Sequence, residues 1–397
     1  MRNLRNIHRS VITNDDLQSG ERSFSAQLSQ TSLKPIAIAW DVTTDSVVCG
    51  CGPTKDNVLL EIKRWMKYGE DQQSIAAWDA PCPSPNLEND EIVNLHYFAD
   101  DSTIAVVLAG GDLVVVREEP QHDQEKIEIV GSVDAGISAA AWSPDDALLA
   151  FTTNASTLLF MSRDFEPVTD ITLSSDDLKA SNHVSVGWGK KETQFKGKKA
   201  HALRDPTMPE TVDEGILSNF DTKNTTISWR GDGSFLAVNS IEAGSRRVIR
   251  VYSREGDLDS VSEPTDGLVG ALSWRPAGNL LAGIQHGWNG VRVIFFERNG
   301  LRHGQFDLRL SKEDMVDWAS DISLNWNVDS SVLAVCFKDR VQLWTMNNYH
   351  YYLKQEIFPS SKNQRVGLTI RWHPEKPFHF ALSSQSRLKS LKADFLW

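Results

Sequence analysis

Short apolar runs alternate with polar turns along the whole chain, and one combination of the two recurs. A strand-like segment ends in an aromatic residue, a polar turn follows, and a second apolar run begins about six residues later. Trp188 fits only the first strand of this pattern. The recurring aromatic residues, here called anchors, are Trp40, Phe98, Trp142, Trp188, Trp229, Trp274, Trp326 and Trp372.

The anchors return at an interval that is typical of one known architecture. Apart from a first interval of 58 residues, they are 41 to 52 residues apart, close to the ~40–45 residues of a four-stranded propeller blade. Turns such as SPDDA, RGDGS and RPAGN supply the Pro, Asp and Gly that tight turns need. Because a blade covers its apolar faces only by packing on its neighbours, the pattern predicts an all-β propeller of the WD-repeat type.

The blade count leaves alternatives at the C-terminal end. We expect seven blades, anchored from Trp40 to Trp326, in residues 36–366. Residues 367–397 then form either a last blade or the start of a second propeller, and an eight-bladed ring is the alternative. Residues 1–35 contain the segment LRNIHRSVIT, a candidate outer strand that closes the ring onto the last blade. The anchors are interpreted as packing residues between blades rather than as a ligand cage.

The repeat departs from the orthodox WD pattern at the end of the third strand. The Trp-Asp pair expected there is replaced by Trp344-Thr345 in one copy and by Tyr252-Ser253 in another. The buried Asp–His network of the orthodox repeat is therefore expected to be mostly absent. The sequence indicates a divergent propeller held together by apolar packing.

Composition narrows the class of protein. The chain has 397 residues, of which 24% are charged, and a formal net charge of −12, which argues against nucleic-acid binding over the whole surface. Four cysteines are too few for a disulfide framework. No apolar run approaches the ~20 residues that span a membrane, and the N-terminus lacks the apolar core of a signal peptide. We expect no membrane association and a cytoplasmic location, with a nuclear one also compatible.

The usual signatures of chemistry are missing from the sequence. There is no G-x-S-x-G motif, and Gly187 to Lys191 lacks the glycine and the Ser/Thr of a phosphate-binding loop. Cys49-Gly50-Cys51 has no second cysteine pair that would complete a zinc site. We therefore predict no catalytic, cofactor or metal site and no enzymatic activity. A generic propeller adaptor in a multi-subunit complex is one reading that the pattern supports.

One segment is basic in an otherwise acidic chain. Residues 190–204 read KKETQFKGKKAHALR, with six Lys and Arg against Glu192 and with Phe195 among the lysines. Lysines and a stacking ring can follow a phosphate backbone, but a solvated loop or a protein contact explains them as well. The candidate residues for contact with a partner or with tRNA are Lys190, Lys191, Lys196, Lys198 and Lys199.

Several long segments are similar to those of one family. VGWGKKETQF (186–195), FFERNGLRHG (295–304) and NYHYYLKQ (348–355) resemble the largest, IKAP-type subunit of the Elongator complex. The resemblance covers nearly the whole chain and agrees with the tandem propellers of that family. It implies a non-catalytic scaffold without cofactors, whose partners are the other Elongator subunits, including the catalytic acetyltransferase subunit that modifies the wobble uridine of tRNA.

The same resemblance implies what this chain contributes. Members of the family are far longer, with helical repeats, a basic tRNA-binding stretch and a dimerisation region after the propellers. The chain is expected to be an N-terminal propeller fragment with indirect or weak tRNA contact, and dimerisation is expected only through regions that it does not contain.

Overall fold

The protein is described by a computed structural model whose bounded elements are all β-strands. In the described part of the chain these strands form seven antiparallel sheets. Six of the sheets each contain four consecutive strands, which is the organisation of a β-propeller. The predicted all-β, repeated-sheet fold is confirmed. The described residues are 7–10, 26–27, 35–52, 58–65, 72–80, 90–121, 124–174, 177, 213–242, 244, 246–287, 290–310, 322–337, 340–348, 350–358, 368–384 and 387–393.

The first three sheets follow one another along the sequence, after two short strands, β1 (Ile7–Ser10) and β2 (Ala26–Gln27). The first sheet contains β3 (Pro35–Asp41), β4 (Ser46–Cys51), β5 (Leu59–Trp65) and β6 (Gln72–Asp79). The second contains β7 (Ile92–Phe98), β8 (Thr103–Leu108), β9 (Asp112–Arg117) and β10 (Ile127–Ser132). The third contains β11 (Ile137–Trp142), β12 (Leu148–Thr153), β13 (Thr157–Ser162) and β14 (Pro167–Thr172).

The next three sheets repeat this order of strands. The fourth contains β15 (Thr226–Trp229), β16 (Phe235–Glu242), β17 (Arg246–Ser253) and β18 (Leu258–Val261). The fifth contains β19 (Leu268–Trp274), β20 (Leu280–Gly287), β21 (Gly290–Glu297) and β22 (Arg302–Asp307). The sixth contains β23 (Ser323–Trp326), β24 (Val332–Phe337), β25 (Arg340–Asn347) and β26 (His350–Ile357).

The seventh sheet joins the two ends of the described chain. It contains β27 (Leu368–Trp372), β28 (His379–Ser384) and β29 (Arg387–Ala393), and β1 pairs with β29 from Ile7↔Ala393 to Ser10↔Ser390. β2 pairs with the same strand. The seven described sheets thus include the one that starts at Leu368, whereas Trp188, to which the sequence analysis gave a blade of its own, lies outside the described residues.

The chain divides into two compact units. One comprises residues 1–171 and 320–397 and holds five of the described sheets, and the other comprises residues 172–319 and holds the fourth and fifth. In the larger unit, β3 packs against β27 and β28, so the first and seventh sheets are neighbours. In the smaller unit, β15 and β19 bring the two sheets together.

The described anchors lie at or next to the ends of the first strands, and most of them are buried. Phe98 and Trp142 meet edge to face with ring centroids 4.9 Å apart, joining the second and third sheets. Their cluster also contains Leu149 and Phe151. Aromatic rings at this position combine a large apolar area with a specific packing geometry, which explains why one large ring per sheet suffices at each of these contacts.

The backbone conformation of the turns after the anchors explains why their residues are small and polar. Asp45, Ser102, Asp146 and Ser330 each occupy the last part of such a turn with φ between 53° and 64°. Residues other than glycine rarely adopt positive φ values, and among them small polar residues do so most readily. In two of these turns, Asp146 and Ser330 donate their backbone N–H to the carbonyl three residues earlier, at 2.9 and 3.0 Å.

Candidate interaction surface

The basic segment singled out in the sequence lies between two described stretches of the smaller unit. Lys190, Lys191, Lys196, Lys198 and Lys199 fall in residues 178–212, outside the described residues. The structure does describe Asp177 on one side of this interval and residues 213–222 on the other. Each flank is fixed to the fourth or fifth sheet by a buried arginine or by several hydrogen bonds.

Arg250 holds the flank that precedes the basic segment. It lies on β17, among apolar neighbours, and is fully buried. Its Nε donates to Asp177 Oδ2 at 3.1 Å and its Nη2 to the carbonyl of Ser174 at 3.1 Å, while Glu242 on β16 accepts from the same guanidinium. A buried charge is costly unless its hydrogen bonds are satisfied, so these partners make its burial possible.

Arg302 and Asp266 hold the flank that follows the basic segment. Arg302, at the start of β22, donates from Nη1 to Asp213 Oδ2 at 3.1 Å. Burial raises the pKa of the Asp213 carboxyl, and the Arg302 guanidinium opposes that rise. Asp266 Oδ1 accepts the backbone N–H groups of residues 214, 215 and 216 at 3.0, 2.7 and 2.8 Å. One carboxylate thereby sets the path of three successive residues.

A further ion pair and a ring stack extend this attachment. Arg247 on β17 binds Asp221 through two hydrogen bonds, Nε to Oδ2 at 2.5 Å and Nη2 to Oδ1 at 2.6 Å. The ring of Phe220 stacks on His286, at the end of β20, with centroids 4.2 Å apart. The described stretches on either side of residues 178–212 are therefore held by the fourth and fifth sheets.

The larger unit has a comparable buried arginine. Arg64, on β5, contacts Asp41 at the end of β3 and donates to Glu118, which follows β9, at 2.5 Å. Ser46 Oγ accepts from the same guanidinium at 2.9 Å. The first and second sheets are thus joined by a buried ion pair as well as by their apolar cluster. Apolar packing alone, as expected from the sequence, is an incomplete account of what joins the sheets.

The cysteine and histidine side chains of the described part occupy structural positions. Cys49, Cys51 and Cys336 are buried free thiols, and burial raises the pKa of Cys51 and of Cys336 to about 12, which disfavours the reactive thiolate. His373 Nδ1 accepts the backbone N–H groups of Glu375 and Lys376 at 3.0 and 3.1 Å and so shapes a turn.

The described residues contain no group of three or more His, Cys, Asp or Glu arranged to hold a metal ion. They also contain no helix with the length and apolar character that crossing a bilayer requires.

The family of this chain follows from its match to a family model. A family model described as the ELP1 first N-terminal beta-propeller matches residues 1–375. The chain belongs to this family. The match ends inside the seventh sheet, between β27 and β28, whereas the structure continues that sheet to Ala393.

Relatives of this propeller family are similar over most of the chain. The chain is 41% identical over 363 residues to Elongator complex protein 1 of Schizosaccharomyces pombe, covering 90% of this chain and 28% of the relative. It is 41% identical over 382 residues to the Saccharomyces cerevisiae protein of the same name, covering 87% and 27%. With the Oryctolagus cuniculus protein the identity is 38% over 307 residues, covering 74% and 22%. The chain spans just over a quarter of the length of the two fungal relatives.

Sequence reasoning found the basic segment of this propeller but missed the residues that hold the described stretches before and after it. Arg250 and Asp177 are 73 residues apart in the sequence, and Arg302 and Asp213 are 89 apart. A usable signal existed in the segment RRVIRVY (246–252), where three arginines stand in an otherwise apolar strand. Because a charge within a buried strand needs a partner, these arginines pointed to carboxylates elsewhere in the chain.

Proposed function

We propose that this chain is a propeller module of the Elongator complex, in which it organises other subunits. The observation that carries the proposal is 41% identity to two proteins named Elongator complex protein 1, over about nine tenths of the chain. The loops between the strands of a propeller are usual sites for contacts with partner proteins. The proposal assigns the module no catalytic step.

Within the complex, the module supports modification of the wobble uridine of tRNA by positioning the catalytic acetyltransferase subunit. The family resemblance of the segments at 186–195, 295–304 and 348–355 supports this role. A cytoplasmic location belongs to the same proposal. Imaging of the tagged chain in living cells tests the location, and exclusive accumulation in another compartment would contradict it.

The basic segment is proposed to contact a partner subunit or the tRNA. Its charge differs in sign from that of the chain as a whole, and its two flanks are fixed by Arg250 and Arg302. A charged segment with fixed ends loses less conformational freedom on binding than a free one. The segment is therefore well suited to a contact whose position must be reproducible.

Co-purification tests membership of the complex. The full chain, tagged and expressed in its own cells, should retain Elongator subunits through two affinity steps, as identified by mass spectrometry. Recovery of a different multi-subunit assembly in stoichiometric amounts would favour the adaptor alternative and remove the proposal.

Replacement of the lysines tests the contact. Alanine at all five positions of the basic segment should weaken either subunit recovery or tRNA retention at low salt. A triple variant allows a matched comparison, with Lys196, Lys198 and Lys199 replaced in one protein and the exposed Lys126, Lys223 and Lys354 replaced in the other. Equal effects of the two triples would assign the loss to net charge and contradict a specific contact.

A further inference from the structure

The net negative charge of the chain is concentrated in the region of two neighbouring sheets. Residues 90–172, which form the second and third sheets, contain sixteen Asp and Glu but only three Lys and Arg. Their net charge of −13 compares with −12 for the entire chain, so the remaining residues together are close to neutral. The acidity is therefore a property of one region and not a general feature of the surface.

The few cations of this region do not neutralise it. Arg117 pairs with Glu128 at 2.7 Å, and Arg163 pairs with Asp100 and Asp101 at 2.5 and 3.0 Å. Several exposed carboxylates form no ion pair with any described residue: Glu119, Glu125, Asp134, Asp164, Glu166 and Asp170. Most of them lie on or next to the outer strands β10 and β14.

Apolar side chains stand among these carboxylates on the same outer strands. Ile129 on β10 is 63% exposed and Val168 on β14 is 57% exposed, among the most exposed large apolar side chains in the described residues. Each strand is the outermost of its sheet. Edge strands with exposed apolar side chains are ready to pair with an added strand unless charges or a cover protect them.

The charge identifies what these edges can accept. Acidic side chains flank Ile129 and Val168, so an acidic or uncharged strand would either be repelled or leave the carboxylates uncompensated. A nucleic acid is repelled for the same reason. A strand with lysine or arginine at some positions and apolar residues at others satisfies the carboxylates, the apolar side chains and the open edge together.

We propose that the outer edges formed by β10 and by β14 are each a docking surface for an extended, lysine- and arginine-rich segment of a partner protein. The segment adds along one of these edges, its cations meet the carboxylates of that sheet, and its apolar residues pack on Ile129 or on Val168. The inference does not depend on the proposed membership of a particular complex.

Peptide binding to the purified full chain tests the chemistry of this surface. The probe is a labelled ten-residue peptide of alternating lysine and valine, with a serine–valine peptide as control, followed by fluorescence anisotropy at about 50 and 150 mM salt. The lysine peptide should bind and the serine peptide should not. Absence of saturable binding of the lysine peptide at the lower salt concentration would overturn the proposal.

Matched variants separate a specific surface from net charge. One protein carries Glu125→Gln, Glu166→Gln and Asp170→Asn, and its control carries Glu214→Gln, Glu255→Gln and Asp257→Asn, three exposed acids of the smaller unit. Since each exposed ion pair contributes modestly to binding, the first triple should weaken binding about fivefold and the control less than twofold. Equal losses would show that only the overall charge matters and would overturn the proposal.

The apolar contribution and the occupant are tested separately. Ile129→Ser with Val168→Ser should weaken binding about tenfold at the higher salt concentration, where screened charges contribute least. A photo-crosslinking residue in place of Ile129, in the full chain expressed in its own cells, should form an adduct that maps to a Lys/Arg-rich segment of another protein. An adduct with residues 190–204 of the chain itself, an adduct with an acidic or neutral segment, or no adduct would each overturn partner docking.

Discussion

The indole Nε1 of Trp372 donates a hydrogen bond to the carbonyl oxygen of Asn325, 3.0 Å away on the neighbouring sheet. Asn325 immediately precedes Trp326, the anchor of that sheet. Trp40 repeats the relationship with Arg371, which immediately precedes Trp372, again at 3.0 Å. Two successive anchors thus bind the main chain of the sheet before them in the same way, and the anchor position combines apolar packing with a hydrogen bond.

Replacement of Trp372 by phenylalanine tests this hydrogen bond. The variant keeps an aromatic ring but leaves the Asn325 carbonyl without its donor, so the free energy of unfolding should fall by about 1 kcal/mol for the hydrogen bond, plus the loss of ring area. Urea unfolding followed by circular dichroism measures the change.

Trp142 provides a matched control for that measurement. It occupies the same anchor position and is 8% exposed, as Trp372 is, but its indole N–H has no hydrogen-bond partner among the described residues. Trp142→Phe loses the same ring area and no hydrogen bond, so it should destabilise less. Equal losses would assign the effect entirely to ring size.

Arg250→Met should be among the most damaging single changes in the smaller unit. It removes the cation that Glu242 and Asp177 share while leaving both carboxylates in place, and breaking a buried pair in this way costs about 3–5 kcal/mol. Arg230→Met is the comparison, because the Arg230–Asp232 pair is partly exposed, with Nε 3.5 Å from Oδ1, and a pair of this kind is worth about 1 kcal/mol or less. Thermal unfolding of both variants measures the change in Tm. Similar shifts in Tm for the two variants would contradict the structural role of Arg250.

The anchors and turns were predictable from sequence because the residues that define them are close together in the chain. A turn such as 143–146 uses its own Ser, Pro and Asp, and each anchor ends a strand that its neighbours in sequence form. Arg250 and Arg302 could be suspected of having partners, since each lies on or next to a buried strand. Their partners Asp177 and Asp213 could not be named, because nothing local distinguishes those carboxylates from the many solvated ones.

The exposed surface is a second case in which local pattern was insufficient. The sequence drew attention to the lysines near residue 195 because a cationic run stands out in an acidic chain. The carboxylates of residues 90–172 are scattered singly or in pairs among turns, where each is explained by solvation. That several of the exposed ones lie on or next to outer strands emerges only when β10 and β14 are assigned as edges.

His286 predicts a loss of stability in mild acid. Burial lowers the pKa of His286 to about 4, below the ordinary value near 6.5. Between pH 6.5 and 4 the unfolded chain binds a proton that the folded chain does not, so stability present above pH 6.5 declines as the pH falls through this window, by up to about 3 kcal/mol. His286→Gln should flatten the pH dependence of the unfolding free energy there.

The exposed His350 on β26 supplies the control for His286. His350→Gln removes an exposed histidine and leaves the buried site of His286 intact, so it controls for the general effect of replacing a histidine. If the two variants give the same slope, His286 is not the titrating group responsible.

The Asp90 carboxyl is expected to change the stability of the folded chain with pH in the opposite direction to His286. Burial raises the pKa of its carboxyl to about 6, while Gly110 donates its N–H to Oδ1 at 2.6 Å and opposes that rise. The folded chain therefore binds a proton between pH 3.8 and 6 that the unfolded chain does not, and this contribution disappears as the pH rises through 6. Asp90→Asn keeps an acceptor for Gly110 and should increase stability at pH 7 by about 1–3 kcal/mol.

The control for the Asp90 prediction is the same comparison of the variant with the parent at low pH. Near pH 4, where the folded carboxyl is already protonated, Asp90→Asn should change the unfolding free energy little. A variant that is less stable than the parent at pH 7 would show that the charged carboxylate contributes a favourable contact.

The pairing of β1 with β29 constrains when the seventh sheet can be completed. Ile7 leaves the ribosome early, whereas Ala393, its partner, is synthesised almost a whole chain length later, which at translation rates of about 5–20 residues per second is a delay of roughly 20–80 s. During that time β1 has no partner strand, because β29 has not yet been synthesised. The first sheets can already form from neighbouring segments. Completion of the last sheet is consequently a late event in biogenesis, and a bulky fusion placed immediately before β1 would interfere with it while leaving the earlier sheets intact.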